Sequence, residues 1–535
     1  MSAPDSFDYV IVGAGSAGCV LAARLSEDPA VRVLLLEAGG RDSNPFIHIP
    51  AGYFRTLDNP AVNWRYRSEP EPGTAGREIP FPRGKVLGGS SSINGHVFVR
   101  GQAGDYDGWA QLGNRGWSYD DVLPYFQRME NWTGPDHALR GHGGPLQVQE
   151  HGERHVLTEA FMAAAEQLGL PRNPDYNAGD QEGVGYFQTV MRDGRRLSTA
   201  RAYLKPAEAR RNLTVETGAA VQRIAVDGRR ATGVVYRRNG RTMTATAKRE
   251  VLLSAGTIAT PQLLQLSGIG PGAHLTGLGI AVVHDLPGVG RNLQDHYIAR
   301  VAWRVTQPVT INEQARGLRF LGELARYALF RRGLLSLPAA HVGASVRLAP
   351  GAADPDVQMI LAPGSYAGGQ LGKLEREPGM TCGIWRHRPE SRGEVMIRSA
   401  DPAAPPAIRP NYLSAASDGE LTVAAIRFAR RLIATPPFDP YRGPEILPGI
   451  DIESDADILD YARRNGSTVY HPVGTCRMGP DPHSDAVVDD RLRVHGLDGL
   501  RVVDASVMPR LPAANTNAPT IMIAEKAADL VRADA

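Results

Sequence analysis

The chain has 535 residues, too many for one hydrophobic core, so we expect two or three domains. Its 42% hydrophobic and 22% charged residues are typical of an ordinary globular protein. The net charge is only +2 and no run of about five or more like charges occurs, which argues against nucleic acid as a partner. No stretch of about 18 apolar residues exists, so we predict no membrane span.

The N-terminal residues and the cysteines bear on the compartment. The opening "MSAPDSFDYVIVG" has no basic segment followed by an apolar one, so we expect no signal peptide. The three cysteines, Cys19, Cys382 and Cys476, are far apart and form no CxxC, so we expect neither a disulfide framework nor a metal site. These features predict a cytoplasmic location.

The first fifty residues predict a strand, a helix and a second strand around a glycine-rich turn. A short apolar strand precedes G-x-G-x-x-G, formed by Gly13, Gly15 and Gly18. These glycines allow a tight turn and a close approach to a pyrophosphate, which the positive end of the next helix stabilises. The second strand, Val31–Leu36, ends at Glu37, where a carboxylate can accept hydrogen bonds from ribose hydroxyls. The pattern predicts dinucleotide binding but does not decide between NAD and FAD.

Later segments resemble the signatures of one flavoprotein family. They are "PRGKVLGGSSSINGHVFVRGQAGDYDGWA", "GTIATPQLLQLSGIG", "DLPGVGRNLQDH", "YHPVGTCRMG" and "RVVDASVMPRLPAANTNAPTIMIAEKAADLV". In this order they resemble the glucose–methanol–choline (GMC) oxidoreductases, above all the bacterial branch of choline, sorbose and other alcohol dehydrogenases. The resemblance implies FAD as the cofactor, and the GGSSSIN loop argues against a plain NAD-dependent dehydrogenase.

The resemblance also implies which residues bind FAD. They are Gly13, Gly15, Ser16, Ala17, Gly18, Glu37, Ala38, Arg83, Gly88, Gly89, Ser92, Asn94, Gly95, Val97, Val221, Ala255, Gly256, Asp504, Ala505, Asn515, Thr516 and Thr520. Some members attach FAD covalently through a histidine in the glycine–serine loop. The matching position is Ile93, so we expect non-covalent FAD. The predicted helix Thr520–Val531 would direct its positive N-terminus at the reduced, anionic flavin.

Two residues near the C-terminus are the predicted catalytic pair. Alcohol oxidation by a flavin moves a hydride to flavin N5 and a proton to a base, and a histidine suits the base because its pKa lies near working pH. By the resemblance this base is His471, and Asn515 orients the oxygen that loses its proton. We interpret His96 and His296, which lie in other family segments, as structural or flavin-adjacent.

The predicted fold class is α/β, with a Rossmann-like FAD-binding domain and an α+β substrate domain built on a mainly antiparallel sheet. We predict that residues 5–155, 206–298 and 465–535 form the FAD-binding domain, and that residues 156–205 and 299–464 form the substrate domain. "AGYFRTLDNP" could form a lid over the flavin. "GLRFLGELARYALFRRG" has a helical period, and "TCGIWRHRPESRGEVMIRSADP" alternates like a hairpin with a turn near Glu390–Gly393.

The substrate is predicted only by class. Choline-specific members hold the quaternary ammonium with a carboxylate, and the matching position here is His341, an imidazole unsuited to that role. We therefore expect a primary alcohol, a polyol or sugar, or an aryl or furanic alcohol. A dehydrogenase with a quinone or dye-like acceptor is favoured over an oxidase that uses O2. Two competing hypotheses are hydroxynitrile-lyase chemistry and a flavin protein without catalysis. We expect a monomer or homodimer.

Overall fold

The structure, a computed structural model, describes residues 6–369 and 372–535. The α-helices of these residues are α1 (Ser16–Leu25), α2 (Pro45–His48), α3 (Tyr53–Thr56), α4 (Ala103–Gln111), α5 (Tyr119–Met129), α6 (Val156–Gln167), α7 (Lys205–Ala207), α8 (Gly256–Leu266), α9 (Gly272–Gly277), α10 (Ile311–Gln314), α11 (Gly317–Phe330), α12 (Ala416–Ile433), α13 (Asp455–Asn465) and α14 (Asn517–Ala533).

The β-strands of the same residues are β1 (Ser6–Val12), β2 (Val33–Glu37), β3 (Tyr66–Arg67), β4 (Pro80–Phe81), β5 (Glu130–Trp132), β6 (Leu146–Glu150), β7 (Gly183–Tyr186), β8 (Gln188–Arg192), β9 (Arg195–Arg196), β10 (Leu213–Thr217), β11 (Ala220–Asp227), β12 (Arg230–Arg238), β13 (Arg241–Leu253), β14 (Ile269–Gly270), β15 (His284–Asp285), β16 (Tyr297–Val305), β17 (Val342–Val346), β18 (Val357–Ala362), β19 (Gly379–Arg386), β20 (Glu394–Met396), β21 (Ala407–Arg409), β22 (Arg442–Leu447), β23 (Ser467–Thr468) and β24 (Leu500–Val502).

The first large sheet has the order β10-β2-β1-β13-β12-β11, and β24 also pairs with β13. Strands β10, β2, β1, β13 and β24 are parallel, whereas β11, β12 and β13 form an antiparallel meander. Every residue of β2 is buried, as expected for a strand covered on both faces. Helices α1 and α14 pack side by side on this sheet, joined by the ion pair of Arg24 and Glu525 at 2.9 Å. This is the predicted Rossmann-like unit.

The second large sheet has the order β22-β16-β19-β18-β17-β7, with β23 also beside β16, and all its pairs are antiparallel. One face of it forms a hydrophobic core with α6 and α12. The opposite face looks toward the Rossmann-like unit. The predicted fold class is therefore confirmed, whereas the exact domain boundaries remain a prediction.

The predicted hairpin is wrong. Its first half is β19, which pairs with β16 on one side and β18 on the other, so no edge of β19 is left for β20. Strand β20 pairs instead with β21. The alternating pattern belongs to a central strand and a separate short ribbon.

Three further sequence features have counterparts in the structure. The predicted helix near residue 320 forms as α11, but its apolar residues point outward, and Leu318 is 85% exposed. All three cysteines are buried and free. Across residues 6–369 and 372–535, no helix is long and apolar enough to cross a membrane.

Candidate active site

A cavity of about 1040 Å³ lies between the two large sheets. At one end it is lined by the loop that follows β1 and by the carboxyl end of β2. At the other end it is lined by the inner face of the antiparallel sheet, including Ile298 and Trp385. His471 and Asn515 line it between these ends. The cavity therefore joins the predicted nucleotide loop to the predicted catalytic pair.

The loop between β1 and α1 leaves no room for side chains. A Cβ at Gly18 would lie 1.8 Å from the carbonyl oxygen of Gly13, and Gly13 itself has a φ of +96°. A Cβ at Gly89 would lie 2.7 Å from the Cα of Gly15, so the two glycine loops touch through their backbones. Such a bare backbone surface lets a pyrophosphate approach N–H groups closely.

The carboxylate of Glu37 is fixed beside this loop. Its Oε2 accepts from the backbone N–H of Ala14 at 2.9 Å, and its Oε1 accepts from that of Gly39 at 2.8 Å. Burial raises the pKa of Glu37 to about 7, against the lowering effect of these two hydrogen bonds. The side chain lines the cavity and keeps free lone pairs for a ribose hydroxyl.

The C-terminal segment completes the nucleotide end. Asp504 accepts from the backbone N–H of Gly256 at 2.8 Å and from the hydroxyl of Thr260 at 2.6 Å, and so caps the start of α8. Ser16 donates to Asn517 at 2.7 Å, which brings the N-termini of α1 and α14 together at the cavity wall. Two positive helix ends at one cavity fit an anionic dinucleotide such as FAD.

Hydrogen bonds determine which ring nitrogens of His296 and His471 carry a proton. The Nε2 of His296 lies 2.7 Å from the carbonyl oxygen of His387, which only accepts, so this nitrogen carries the proton. Burial lowers the pKa of His296 to about 4, so the ring is neutral and its Nδ1 is an acceptor. The Nδ1 of His471, 2.9 Å away, is therefore the donor of that pair.

The Nε2 of His471 consequently carries a lone pair and no proton. Burial, and then the neighbouring His296 and Arg83, hold the pKa of His471 well below its usual range, so this ring is neutral as well. The amide Nδ2 of Asn515 donates to Nε2 at 3.0 Å. A neutral imidazole with its lone pair at a cavity wall can take a proton from a bound hydroxyl. The amide beside it can hold the same oxygen.

The backbone around His471 is held by buried polar groups. Asp295 accepts from the N–H of His471 at 2.8 Å through one oxygen, and through the other from the hydroxyls of Tyr412 and Thr468, each at 2.5 Å. Arg83 donates to the carbonyl oxygen of Tyr470 at 2.7 Å. These contacts hold the imidazole in place from three different segments of the chain.

Most of the predicted cofactor residues line the cavity, and three do not. Gly18 packs against Gly13, Gly88 adopts a φ of +87° behind the loop, and the hydroxyl of Ser92 donates to the carbonyl of Leu87 at 2.7 Å. These three shape the glycine loops from behind.

His341 lies apart from the other predicted residues. It does not belong to the cavity wall, whereas its neighbours Ala339 and Ala340 do. Its ring stacks on that of His151 at a centroid distance of 5.8 Å. The structure therefore does not bring His341 to the catalytic pair, and its imidazole is no evidence against choline.

Sequence models of the family described as GMC oxidoreductase match residues 7–298 and 389–524. The chain belongs to the GMC oxidoreductases. This membership confirms the predicted family, the enzyme class, FAD as the cofactor and an alcohol as the substrate.

This GMC oxidoreductase is similar in sequence or structure to several named enzymes. It is 46% identical over 527 residues to an oxygen-dependent choline dehydrogenase of Rhizobium johnstonii, covering 98% of this chain and 95% of the relative. It is similar to the crystal structure of pyridoxine 4-oxidase from Mesorbium loti, with a TM-score of 0.89 and 34% identity over 98% of both chains. A variant of formate oxidase from Aspergillus oryzae RIB40 has a TM-score of 0.93 at 27% identity, covering 100% of this chain and 99% of that one.

Sequence reasoning missed the far wall of the cavity in this GMC oxidoreductase. Strands β16, β18 and β19 contribute the lining residues Ile298, Arg300, Ile360, Ala362, Thr381, Gly383 and Trp385. From the segment predicted as a lid, Tyr53 and Leu57 also line the cavity. The sequence of β16 contained one indication of this wall. Alternate residues of a strand point to the same face, so Ile298 and Arg300 share one face of β16.

Proposed function

We propose that His471 is the base that accepts the hydroxyl proton of the alcohol at Nε2, and that Asn515 holds the same oxygen through its amide. The observation that supports this is the chain from Asn515 through His471 to His296, which leaves the Nε2 of His471 unprotonated at the cavity wall, beside the Asn515 amide. When bound, FAD supplies the acceptor for the hydride that leaves the carbinol carbon. His471 itself is buried, with 8% of its surface exposed, which limits the access of water to the proposed base.

We further propose that the cofactor is bound without a covalent link. Ile93 lines the cavity at the position where some members carry the linking histidine. The residues that would hold FAD are the glycines of the first loop, Glu37, the 89–95 loop and the first residues of α14. Denaturation followed by filtration should release all of the flavin into the filtrate.

The decisive experiment is anaerobic. Purified holoenzyme is mixed with choline, sorbose, benzyl alcohol and hydroxymethylfurfural, and flavin absorbance is followed. Bleaching by any of these alcohols supports the proposal. If none bleaches the flavin although dithionite does, either the substrate lies outside the panel or the chemistry is not alcohol oxidation, and hydroxynitrile-lyase chemistry becomes the leading alternative. Choline belongs in the panel because the Rhizobium johnstonii relative is named for it.

The electron acceptor is tested by admitting air to the reduced enzyme. Our proposal is a quinone or dye-like acceptor, so the colour should return slowly in air and quickly with a quinone. Rapid reoxidation in air with stoichiometric hydrogen peroxide would show an oxidase instead. We also propose a monomer or homodimer, to be measured by light scattering, and a cytoplasmic location, which is supported by the unpaired cysteines.

A further inference from the structure

Arg300, on the antiparallel-sheet side of the cavity, is a cationic residue whose side chain has no partner among the described residues. Arg300 lines the cavity from β16, and its guanidinium makes no hydrogen bond or ion pair with the residues that the structure describes. Two other arginines of the cavity wall differ, because Arg65 pairs with Asp58 at 2.7 Å and Arg398 pairs with Glu69. A guanidinium has five donors and stays charged, so an unpaired one in a cavity calls for an acceptor from outside the chain.

A second donor without a partner lies next to Arg300. The register places Arg300 opposite Gly383 on β19, and Trp385 follows two residues later on the same face. Such diagonal neighbours are about 7–8 Å apart, within reach of long side chains. The indole Nε1 of Trp385 is buried and has no acceptor among the described residues. Gly383 has no side chain to separate the two donors.

Both donors lie close to the catalytic pair. The charge of Arg300 acts on the hydroxyl of Tyr470, the residue before His471, where it opposes the rise in pKa that burial causes. The indole ring of Trp385 lies 6.3 Å, centroid to centroid, from the ring of His296, which is hydrogen-bonded to His471. A small molecule bound by Arg300 and Trp385 would therefore be long enough to reach His471 as well.

The wall that carries these donors offers no carboxylate. None of the cavity-lining residues of β16, β18 and β19 is acidic. Five acidic residues line other parts of the cavity, outside β16, β18 and β19. They are Glu37, Glu69, Glu78, Asp401 and Asp504. The substrate end is thus rich in donors and positively charged, which favours an anionic ligand and disfavours a quaternary ammonium.

We propose that the alcohol substrate carries a carboxylate, which Arg300 and the indole N–H of Trp385 bind while the carbinol faces His471. This inference depends on the proposed function for its alcohol, but the anion site itself does not. Arginine matches a carboxylate in two parallel hydrogen bonds, which fixes the orientation of a small substrate as well as its affinity.

The test uses a pair of ligands that cannot be oxidised. Benzoate and benzamide have nearly the same shape and differ in charge. Each is titrated into the FAD-loaded enzyme, and binding is followed by the change in flavin absorbance. We expect benzoate to bind about 10- to 100-fold more tightly than benzamide, the range for a hydrogen-bonded charged pair. Equal affinities in the wild-type enzyme would overturn the proposal.

Substitutions of the two proposed donors test where the anion binds. Arg300→Met should abolish the preference for benzoate, and Trp385→Phe, which keeps a ring but loses the N–H, should reduce it by about 3- to 10-fold. The matched control is Arg304→Met, which removes the same charge from the same strand at a residue paired with Glu375 outside the cavity. Its preference for benzoate should be unchanged. A preference that survives in Arg300→Met, with a flavin spectrum like that of the control, contradicts the assignment.

Turnover separates this inference from the proposed function. Anaerobic flavin reduction is compared for 4-(hydroxymethyl)benzoate, benzyl alcohol and choline. If benzyl alcohol reduces the flavin and benzoate shows no preference in binding, the anion site is wrong and the alcohol chemistry stands. If benzoate is preferred but none of the three alcohols reduces the flavin, the anion site stands and the proposed oxidation fails for these alcohols.

Discussion

At the scale of single residues, the imidazole of His471 is the catalytic base that we propose. We expect His471→Ala to lower kcat by about 10²- to 10⁴-fold, because a positioned general base contributes that much to a proton transfer. The flavin should remain bound, since the nucleotide end of the cavity is built from other residues. Stopped-flow reduction with the best alcohol measures the rate, and the flavin-to-protein ratio is the control. A rate within twofold of wild type would falsify the role of base.

We propose that His296, which is hydrogen-bonded to His471, acts through it as a positioning residue. We expect His296→Leu to lower kcat by about 10- to 100-fold, because the Nδ1–H of His471 loses its acceptor and the ring loses its fixed tautomer. His296→Asn should recover part of the rate, since an amide oxygen can accept the same hydrogen bond. The measurement is kcat for both variants. Equal rates for the leucine and asparagine variants would mean that only packing matters at this position.

The pH dependence follows from the direction of the pKa shift at His471. Burial lowers this pKa below the ordinary 6.5, so the ring is already neutral at neutral pH. The base is active when neutral. We therefore expect kcat/KM to rise with pH only below pH 6.5 and to be level above it. A pH–rate profile from pH 5 to 8 measures this, and an acid limb centred above pH 6.5 would contradict it.

At the scale of secondary structure, the loop between β1 and α1 is the most demanding element. We expect Gly18→Ala to prevent FAD binding and to destabilise the fold by about 1–3 kcal/mol or more, because its Cβ would collide with the backbone oxygen of Gly13. Gly40→Ala is the matched control, since a Cβ there meets nothing within 4 Å, and its stability should change by less than about 0.5 kcal/mol. Denaturant unfolding and flavin content test both variants.

The same loop shows which parts of this molecule the sequence predicts well. Its glycines, Glu37 and the strand–helix–strand order lie within one short segment, so local spacing was sufficient. The motif around His471 was found by resemblance. Arg300 and Trp385 were missed because only the pairing of β16 with β19, about eighty residues apart in the chain, brings them to one face. The false hairpin has the same cause, because alternation reveals a strand's faces but not its partners.

At the scale of the whole molecule, the cavity proposed for FAD is lined by parts of the chain that are far apart in sequence. The cavity wall takes residues from the first strand–helix–strand unit, from the middle of the chain, from the antiparallel sheet and from the start of α14. Two helix N-termini and a carboxylate face this cavity, and the cofactor supplies the groups that match them. Removing the cofactor should therefore weaken the contact between the two large sheets as well as abolish activity.

We expect FAD to raise the stability of the apoprotein by about 2.7 kcal/mol at a hundredfold excess over Kd, because a ligand that binds only the native state stabilises it by mass action. Thermal unfolding at increasing FAD concentration measures this as a rising Tm. NAD at the same concentrations is the control, since both are dinucleotides but the resemblance in the 88–95 loop is to flavin enzymes. A Tm that rises equally with NAD would mean that the cavity recognises only the shared adenosine diphosphate half. A Tm independent of FAD would mean that FAD does not bind the native apoprotein at these concentrations, and would contradict the cofactor site.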